Sequence, residues 1–151
     1  TMKNSPCSAA VVLATLFVTL HATDALDAKP SDISFDDLKF DIEPASRYEP
    51  SMLTDEIKAL DGEVVKIRGF MWPSFQQRGI TAFVLLLNTQ CKYGSAKDPV
   101  WCNIRVTMED GETASFSTRP MTIEGKLKID LVKGEKYDIS LYAIDDARVV
   151  Q

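Results

Sequence analysis

Two cysteines, Cys91 and Cys102, have the residue type and spacing that most directly suggest chemistry. Cys91 follows an apolar run, and Cys102 opens the next alternating segment, with Gly94, Ser95 and Pro99 between them. If the two segments pair as a hairpin, their ends meet near the distance that a disulfide requires. We therefore predict a structural disulfide. A soft-metal site and a redox-active pair are the alternatives, although the spacing differs from the Cys-x-x-Cys motif.

A second candidate group combines aromatic, amide and guanidinium side chains. Aromatic rings can stack on a ligand, and the loop after the first strand of an OB-type barrel often borders the ligand face. In the alternative interpretation, Trp72 and Phe75 close one end of the barrel, since Trp is highly buried on average. The candidate ligand-binding residues are Trp72, Phe75, Gln76, Gln77, Arg78, Tyr93 and Trp101.

The N-terminal residues have the pattern of an export signal. Lys3 precedes an apolar run over residues 9–20, which is too short to span a bilayer but has the length of a signal-peptide core. Small residues follow and allow cleavage after Ala25 or Ala22. We predict a signal peptide over residues 1–25 and a periplasmic or extracellular protein.

Cleavage of this signal would limit the chemistry of the remaining chain. It removes His21, the only histidine, and Cys7. Ser-His-Asp and Cys-His catalysis and His-based metal sites are then excluded. The net charge stays at −5, because Lys3 and Asp24 leave together. This acidic balance, without a basic cluster, argues against nucleic-acid binding.

Paired carboxylates could in principle support glycosidase-type hydrolysis, which requires two acids across a cleft. The candidates lie at predicted turns and strand ends, where solvated acidic side chains are common. We therefore expect no catalytic residue and no cofactor. The acids in question are Glu109, Asp110, Glu112, Asp145 and Asp146.

Four segments show the period-two alternation of β-strands, and a fifth, residues 81–87, is apolar on both faces, as in a strand covered on both sides. One predicted helix precedes them. Thr54 is predicted to cap a helix over residues 55–60. Gly69 and Gly125 lie within strand faces, which indicates a bulge, a barrel corner or a close backbone approach. The predicted fold is mainly β, a five-stranded OB-like antiparallel barrel with a short N-terminal helix; a small β-sandwich is the alternative. The strands are expected near residues 63–71, 81–87, 101–108, 121–129 and 137–143.

The predicted signal is followed by an acidic, proline-containing arm, residues 26–50, and then by the barrel domain, residues 51–151. We expect the arm to lie on the domain, with Phe35, Leu38 and Ile42 as apolar anchors. Its carboxylates lack the spaced loop and central glycine of a calcium site, so solvated surface is the better interpretation.

Two dipeptides mark turns between the predicted strands. Asp110-Gly111 is typical of a hairpin turn, and Lys133-Gly134 predicts a second turn before the last strand.

Several motifs resemble a bacterial family known as domain of unknown function 3299. The most specific is the segment LDGEVVKIRGFMWPSFQQ, residues 60–77. The others are ISFDDLKFDIE, residues 33–43, QCKYGSAKDPVWC, residues 90–102, and RPMTIEGKLKI, residues 119–129. The resemblance implies an exported, small OB-like protein and supplies no established activity.

The sequence therefore predicts an exported, non-enzymatic binding or accessory module. Its partner would be a small ligand or a protein of the cell envelope, with no nucleic acid and no stable membrane span. A metal-handling or redox protein that uses Cys91 and Cys102 is the alternative function. A carboxylate-based hydrolase is the second alternative.

Overall fold

The structure, a computed structural model, describes residues 29–150. The predicted signal peptide, with His21 and Cys7, lies outside the described residues, as do the first three residues of the acidic arm. Among the helices in the described part of the chain, none is long and apolar enough to cross a membrane.

All six strands of the described region belong to one sheet, which confirms the mainly β class. The α-helix α1 spans Asp55–Ala59, which is about two turns shorter than an average helix. The strands are β1 (Ser31–Ile33), β2 (Val64–Met71), β3 (Ala82–Leu86), β4 (Asn103–Met108), β5 (Met121–Lys133) and β6 (Asp138–Val150). The 3₁₀ helices are Phe35–Leu38, Pro50–Met52 and Val100–Cys102.

The sheet mixes antiparallel and parallel pairs. β2 pairs antiparallel with both β3 and β5, and β3–β4 and β5–β6 are also antiparallel. The β1–β2 and β4–β6 pairs are parallel. The five predicted strands are therefore present and mostly antiparallel, and β1 is a sixth strand that the alternation did not predict.

The core lies on the inward face of β2 and on the long strands β5 and β6. Val65, Ile67 and Met71 are buried, as their alternation in the sequence predicts. Tyr142 on β6 is completely buried, and its hydroxyl donates a hydrogen bond to the backbone oxygen of Leu38 at 2.9 Å. This bond satisfies a polar group that would otherwise be costly to bury.

Two strand glycines permit the close backbone approach that the sequence predicts. A Cβ atom at Gly69 would lie 2.6 Å from the backbone oxygen of Leu86. One at Gly125 would lie 2.5 Å from Cγ2 of Ile144. The β5–β6 register also shifts beside Gly125, so the strand bends where no side chain fits.

The acidic arm packs on the domain through its apolar anchors. Phe35 and Leu38 are buried, and Ile42 is half-buried against the core. Further along the arm, Arg47 Nη1 lies 2.8 Å from Oδ1 of Asp138 at the start of β6.

The turns lie where the sequence predicts them, but one of them does not join a pair of hydrogen-bonded strands. Thr54 Oγ1 accepts a hydrogen bond from the backbone N–H of Ile57 at 3.3 Å, so it caps α1 as predicted. The turn after residue 133 joins β5 to β6 as an antiparallel pair. Gly111 turns the chain at a φ of 87°, yet β4 pairs with β3 and β6 rather than β5, so the hairpin predicted at Asp110-Gly111 is wrong. The Asp110-Gly111 dipeptide determines only the local geometry of the turn. The free edge of β4 pairs with β6, which is distant in the sequence, and not with β5.

Candidate functional site

An apolar cleft of about 330 Å³ lies on the outward face of β2 and β3, near their adjoining ends. Phe70 and Leu86 are directly opposite each other in the β2–β3 pair and form its floor. Leu86 is buried, and Phe70 is half-buried. The complete lining is Phe70, Met71, Trp72, Pro73, Leu86, Thr89, Lys92, Phe116, Ser117 and Thr118.

Backbone hydrogen bonds hold the two walls of the cleft. The loop after β2 is tied to the connection between β4 and β5 by a bridge between Ile80 and Ala114. The N–H of Phe116 also donates to the backbone oxygen of Gln77 at 3.0 Å. At the other end, the N–H of Trp72 donates to the backbone oxygen of Val84 at 2.8 Å. Backbone hydrogen bonds therefore hold the segments that line the cleft.

Lys92 is the charged residue in the lining of the cleft. It takes part in none of the ion pairs formed among residues 29–150. Three hydroxyl side chains, those of Thr89, Ser117 and Thr118, supply the other polar groups. A mainly apolar surface with a few polar groups is typical of small-molecule sites.

The predicted aromatic pair divides between the cleft and solvent. Trp72 is half-buried and lines the cleft, whereas Phe75 is fully exposed near the middle of the following loop. Phe75 therefore does not close an end of the fold, as the alternative interpretation proposed. Its ring lies in water, where exposed aromatic surface of this size is unusual.

The three polar residues after Phe75 lie outside the cleft. Gln76 Nε2 donates hydrogen bonds to the backbone oxygens of Arg78 and Gly79, both at 2.9 Å, and so closes its own loop. The side chains of Gln77 and Arg78 are exposed. The hydrogen bonds of Gln76 therefore stabilise its own loop.

The two remaining candidates, Tyr93 and Trp101, lie in the connection between β3 and β4. Both are half-buried. Trp101 packs against the main core and also against the cysteines, and Lys39 Nζ lies 5.4 Å from its ring centroid. The structure does not bring these two residues into the cleft lining.

Cys91 and Cys102 lie together, as the hairpin argument predicts. Both are buried free thiols, and their sulfur atoms are 3.0 Å apart. This separation is longer than a disulfide bond of about 2.05 Å, so the disulfide stays a prediction. A carboxylate oxygen of Asp98 lies within 4.8 Å of both sulfurs. These three residues are called the Cys–Asp–Cys cluster below.

The electrostatics of the Cys–Asp–Cys cluster favour protonated Cys102 in the free protein. Burial raises the pKa of the Cys102 thiol, and the hydrogen bond with Cys91 and the negative charge of Asp98 act in the same direction. A thiol with a raised pKa is a poor nucleophile at neutral pH.

The candidate acids for hydrolysis lie at the surface. Glu109 pairs with Arg148 at 3.1 Å, and Asp145 pairs with Lys128 at 2.5 Å. Asp110, Glu112 and Asp146 are exposed.

Sequence reasoning did not single out most of the lining residues of the cleft. Phe70 could have been identified from the sequence, because it is an aromatic residue on the outward face of β2, which it shares with Lys66 and Arg68. Phe116 and Lys92 lie in irregular connections, where no periodicity indicates which surface a side chain will join.

The fold and the site define a mainly β protein with a small apolar cleft on one six-stranded sheet. Its structure is similar to the crystal structure of a DUF3299 family protein from Pseudomonas aeruginosa. The two are 16% identical, with a TM-score of 0.48, over 81% of this chain and 97% of that chain. That protein belongs to the family that the sequence motifs resemble. No model of a known protein family matches the chain, and no curated protein matches it.

Proposed function

We propose that this chain is an exported, non-enzymatic binding module that takes a small amphiphile in the apolar cleft. The ligand has a short apolar chain or ring and one anionic group. The observation that carries the proposal is the cleft itself, whose floor is the Phe70–Leu86 pair. Its lining includes Lys92, which forms no ion pair with any residue between 29 and 150.

The size and the polarity of the cleft support this ligand class. A volume of about 330 Å³ is at the lower end of the range for ligand pockets, so a short acyl chain fits better than a large cofactor. Each 100 Å² of apolar surface removed from water contributes roughly 2.5 kcal/mol. A carboxylate or sulfonate near Lys92 Nζ adds a charge-assisted hydrogen bond.

We also propose that the five longer strands form an OB-like barrel. In support, the pairings run from β2 through β3, β4, β6 and β5 back to β2. The loop between β2 and β3, which borders the cleft, then corresponds to a loop that OB-folds use for ligands.

We further propose that the protein is exported to the periplasm or the medium. Export is supported by the short apolar run over residues 9–20 and by the small residues at Ala22 and Ala25. The mass of the protein recovered from the periplasm or medium of a bacterial host would identify the cleavage site. Recovery of the uncleaved chain from the cytoplasm alone would contradict export.

The binding proposal is tested by titrating the purified protein with octanoate, followed by calorimetry and by tryptophan fluorescence. We expect one site per chain and a change in Trp72 emission. Lys92→Gln is expected to weaken binding roughly tenfold, because the charge partner is lost. Its matched control is Lys97→Gln, an exposed lysine of the same loop that lies outside the cleft.

A second pair of variants tests the location of the site. Ser117→Trp fills the cleft and is expected to abolish binding, whereas Ser115→Trp, two residues away and outside the lining, is expected to preserve it. Circular dichroism checks that each variant is folded. Octanoate binding that is equal in both tryptophan variants, or no binding to the parent protein, would overturn the proposal.

A further inference from the structure

The loop between β3 and β4 brings together three metal-ligating side chains from separate positions. Ligand atoms of Cys91, Asp98 and Cys102 all lie within 4.8 Å of one another. Both cysteines are buried, and Asp98 is half-buried. The cluster lies apart from the surface acids described above, and none of its three residues lines the cleft.

Hydrogen bonds hold the main chain of both cysteines and the carboxylate of Asp98. Asn88 Oδ1 accepts from the N–H of Cys91 at 3.1 Å. The N–H of Lys92 donates to Asp98 Oδ2 at 3.0 Å. The backbone oxygen of Cys102 accepts from the N–H of Leu87 at 3.0 Å. Carboxylate ligands of metals are commonly oriented in this way by hydrogen bonds from surrounding groups.

We propose that Cys91, Asp98 and Cys102 bind one Zn²⁺ ion through two thiolates and one carboxylate, with a fourth position open to water. Sulfur ligands exclude the hard cations Mg²⁺ and Ca²⁺, which take oxygen ligands. The carboxylate favours zinc over Cu⁺, which is selected by thiolate and thioether ligands. Three protein ligands and one open position are typical of zinc sites that exchange a ligand.

Zinc binding requires a small local adjustment and releases protons. Two thiolates at about 2.3 Å from a tetrahedral zinc ion lie about 3.8 Å apart, compared with 3.0 Å between these sulfurs. Side-chain rotation within the loop can supply this difference. Each thiol loses one proton as its Zn–S bond forms, so binding releases about two protons to the buffer.

The test uses the reduced protein, handled without oxygen and titrated with Zn²⁺ by calorimetry in buffers of different protonation enthalpy. We expect one zinc ion per chain, release of about two protons and no binding of Mg²⁺ or Ca²⁺. With Co²⁺ as a substitute, a cobalt–thiolate charge-transfer absorption band is expected. Absence of zinc binding, or binding without proton release and without the thiolate band, would overturn the proposal.

Substitutions assign the ligands. Cys91→Ser and Cys102→Ser are each expected to weaken zinc binding at least a hundredfold, and Asp98→Asn at least tenfold. Asp110→Asn, at an exposed turn, is the matched control and should bind zinc as the parent protein does. Equal affinity in Asp98→Asn and Asp110→Asn would exclude the carboxylate as a ligand and contradict the proposal.

A measurement on the unaltered chain remains decisive if a cysteine variant fails to fold. One equivalent of zinc is expected to slow alkylation of both thiols by iodoacetamide at least tenfold, because bound thiolates are shielded. Unchanged alkylation rates would contradict zinc ligation. Octanoate binding is measured separately, so failure of the zinc site and failure of the cleft are distinguishable.

Discussion

Arg47 and Asp138 form an ion pair in which the carboxylate is buried and the guanidinium is partly in solvent. The Nη1–Oδ1 distance is 2.8 Å, and the side chain of Asp138 is 1% exposed compared with 47% for Arg47. Asp138 Oδ2 also accepts from the N–H of Tyr48 at 2.7 Å. The pair therefore attaches the end of the acidic arm to the beginning of β6.

The two halves of this ion pair should differ in their effect on stability. Arg47→Ala leaves a buried carboxylate with less compensation, so we expect a loss of about 3 kcal/mol in the free energy of unfolding. Asp138→Asn removes the charge and leaves Arg47 free to be hydrated, so the loss should be smaller, about 1–2 kcal/mol. Urea denaturation measures both. A larger loss in Asp138→Asn than in Arg47→Ala would contradict this ranking.

The close approach at Gly125 predicts that an added methyl group is poorly tolerated. A Cβ atom there would lie 2.5 Å from Cγ2 of Ile144 and 2.8 Å from the backbone oxygen of Asp145. The side chain of Ile144 is fully buried and the oxygen of Asp145 belongs to the backbone, so neither atom can move aside easily. Gly125→Ala should therefore cost at least about 2 kcal/mol of folding free energy. Lys126→Ala, at the exposed neighbouring position, is the control and should change it by less than about 0.5 kcal/mol. Equal midpoints for the two variants in thermal denaturation would disprove the clash.

Asp37 supplies a prediction about pH. The backbone N–H and then the hydroxyl of Ser34 donate to its carboxylate, at 2.7 and 2.8 Å, and lower the pKa of Asp37 below its ordinary value. A lowered pKa in the folded state stabilises the protein above the ordinary pKa of Asp, and that contribution is lost as the pH falls through the folded-state pKa. Asp37 is exposed, so the effect on stability is small.

Carboxyl NMR titration measures the pKa of Asp37 directly. Ser34→Ala removes the hydroxyl donor and keeps the backbone donor, so the pKa should rise part of the way to the ordinary value. Ser51→Ala, at an exposed serine distant in the sequence, should leave it where it was. An unchanged Asp37 titration in Ser34→Ala would show that the hydroxyl contributes nothing.

The cysteine pair also predicts the outcome of oxidation. With oxidised glutathione and no metal, the two thiols of Cys91 and Cys102 should lose two hydrogens and form one disulfide, as two molecules of reduced glutathione are produced. Closing a loop of about 12 residues should stabilise the fold by about 3 kcal/mol in the chain-entropy model. Mass spectrometry and denaturation measure these effects.

The single variants Cys91→Ser and Cys102→Ser cannot close this loop and serve as controls for oxidation. Because zinc and the disulfide use the same sulfur atoms, one equivalent of zinc should slow disulfide formation in the parent protein. A stable mixed disulfide with glutathione, in place of the internal bond, would contradict the predicted pairing.

Local patterns in the sequence predicted much of this fold, and long-range contacts explain most of what they missed. The alternation of Val65, Ile67 and Met71 predicted β2 and its buried face, because side chains in a strand point to opposite sides in turn. The strand β1 is only three residues long, too short for alternation to stand out. Its pairing with β2 depends on the fold around it.

The candidate site was predictable only in part for the same reason. Cys91 and Cys102 are joined by a short loop between adjacent strands, so sequence spacing predicts their proximity. The cleft instead combines Phe70 on β2 with Phe116, which lies in the connection between β4 and β5 and is separated from β2 in the sequence by two strands. No local pattern indicates that pairing, because it depends on the bridge between Ile80 and Ala114.

The buried anchors of the acidic arm affect how the chain responds to proteases. Phe35 and Leu38 fill part of the core, and the hydroxyl of Tyr142 depends on the backbone of Leu38 for its hydrogen bond. A nick between Leu38 and Arg47 leaves these groups held by noncovalent contacts alone. The released N-terminal fragment should therefore stay bound to the remaining chain and separate from it only in denaturant. In that sense the arm is an integral segment of the folding unit.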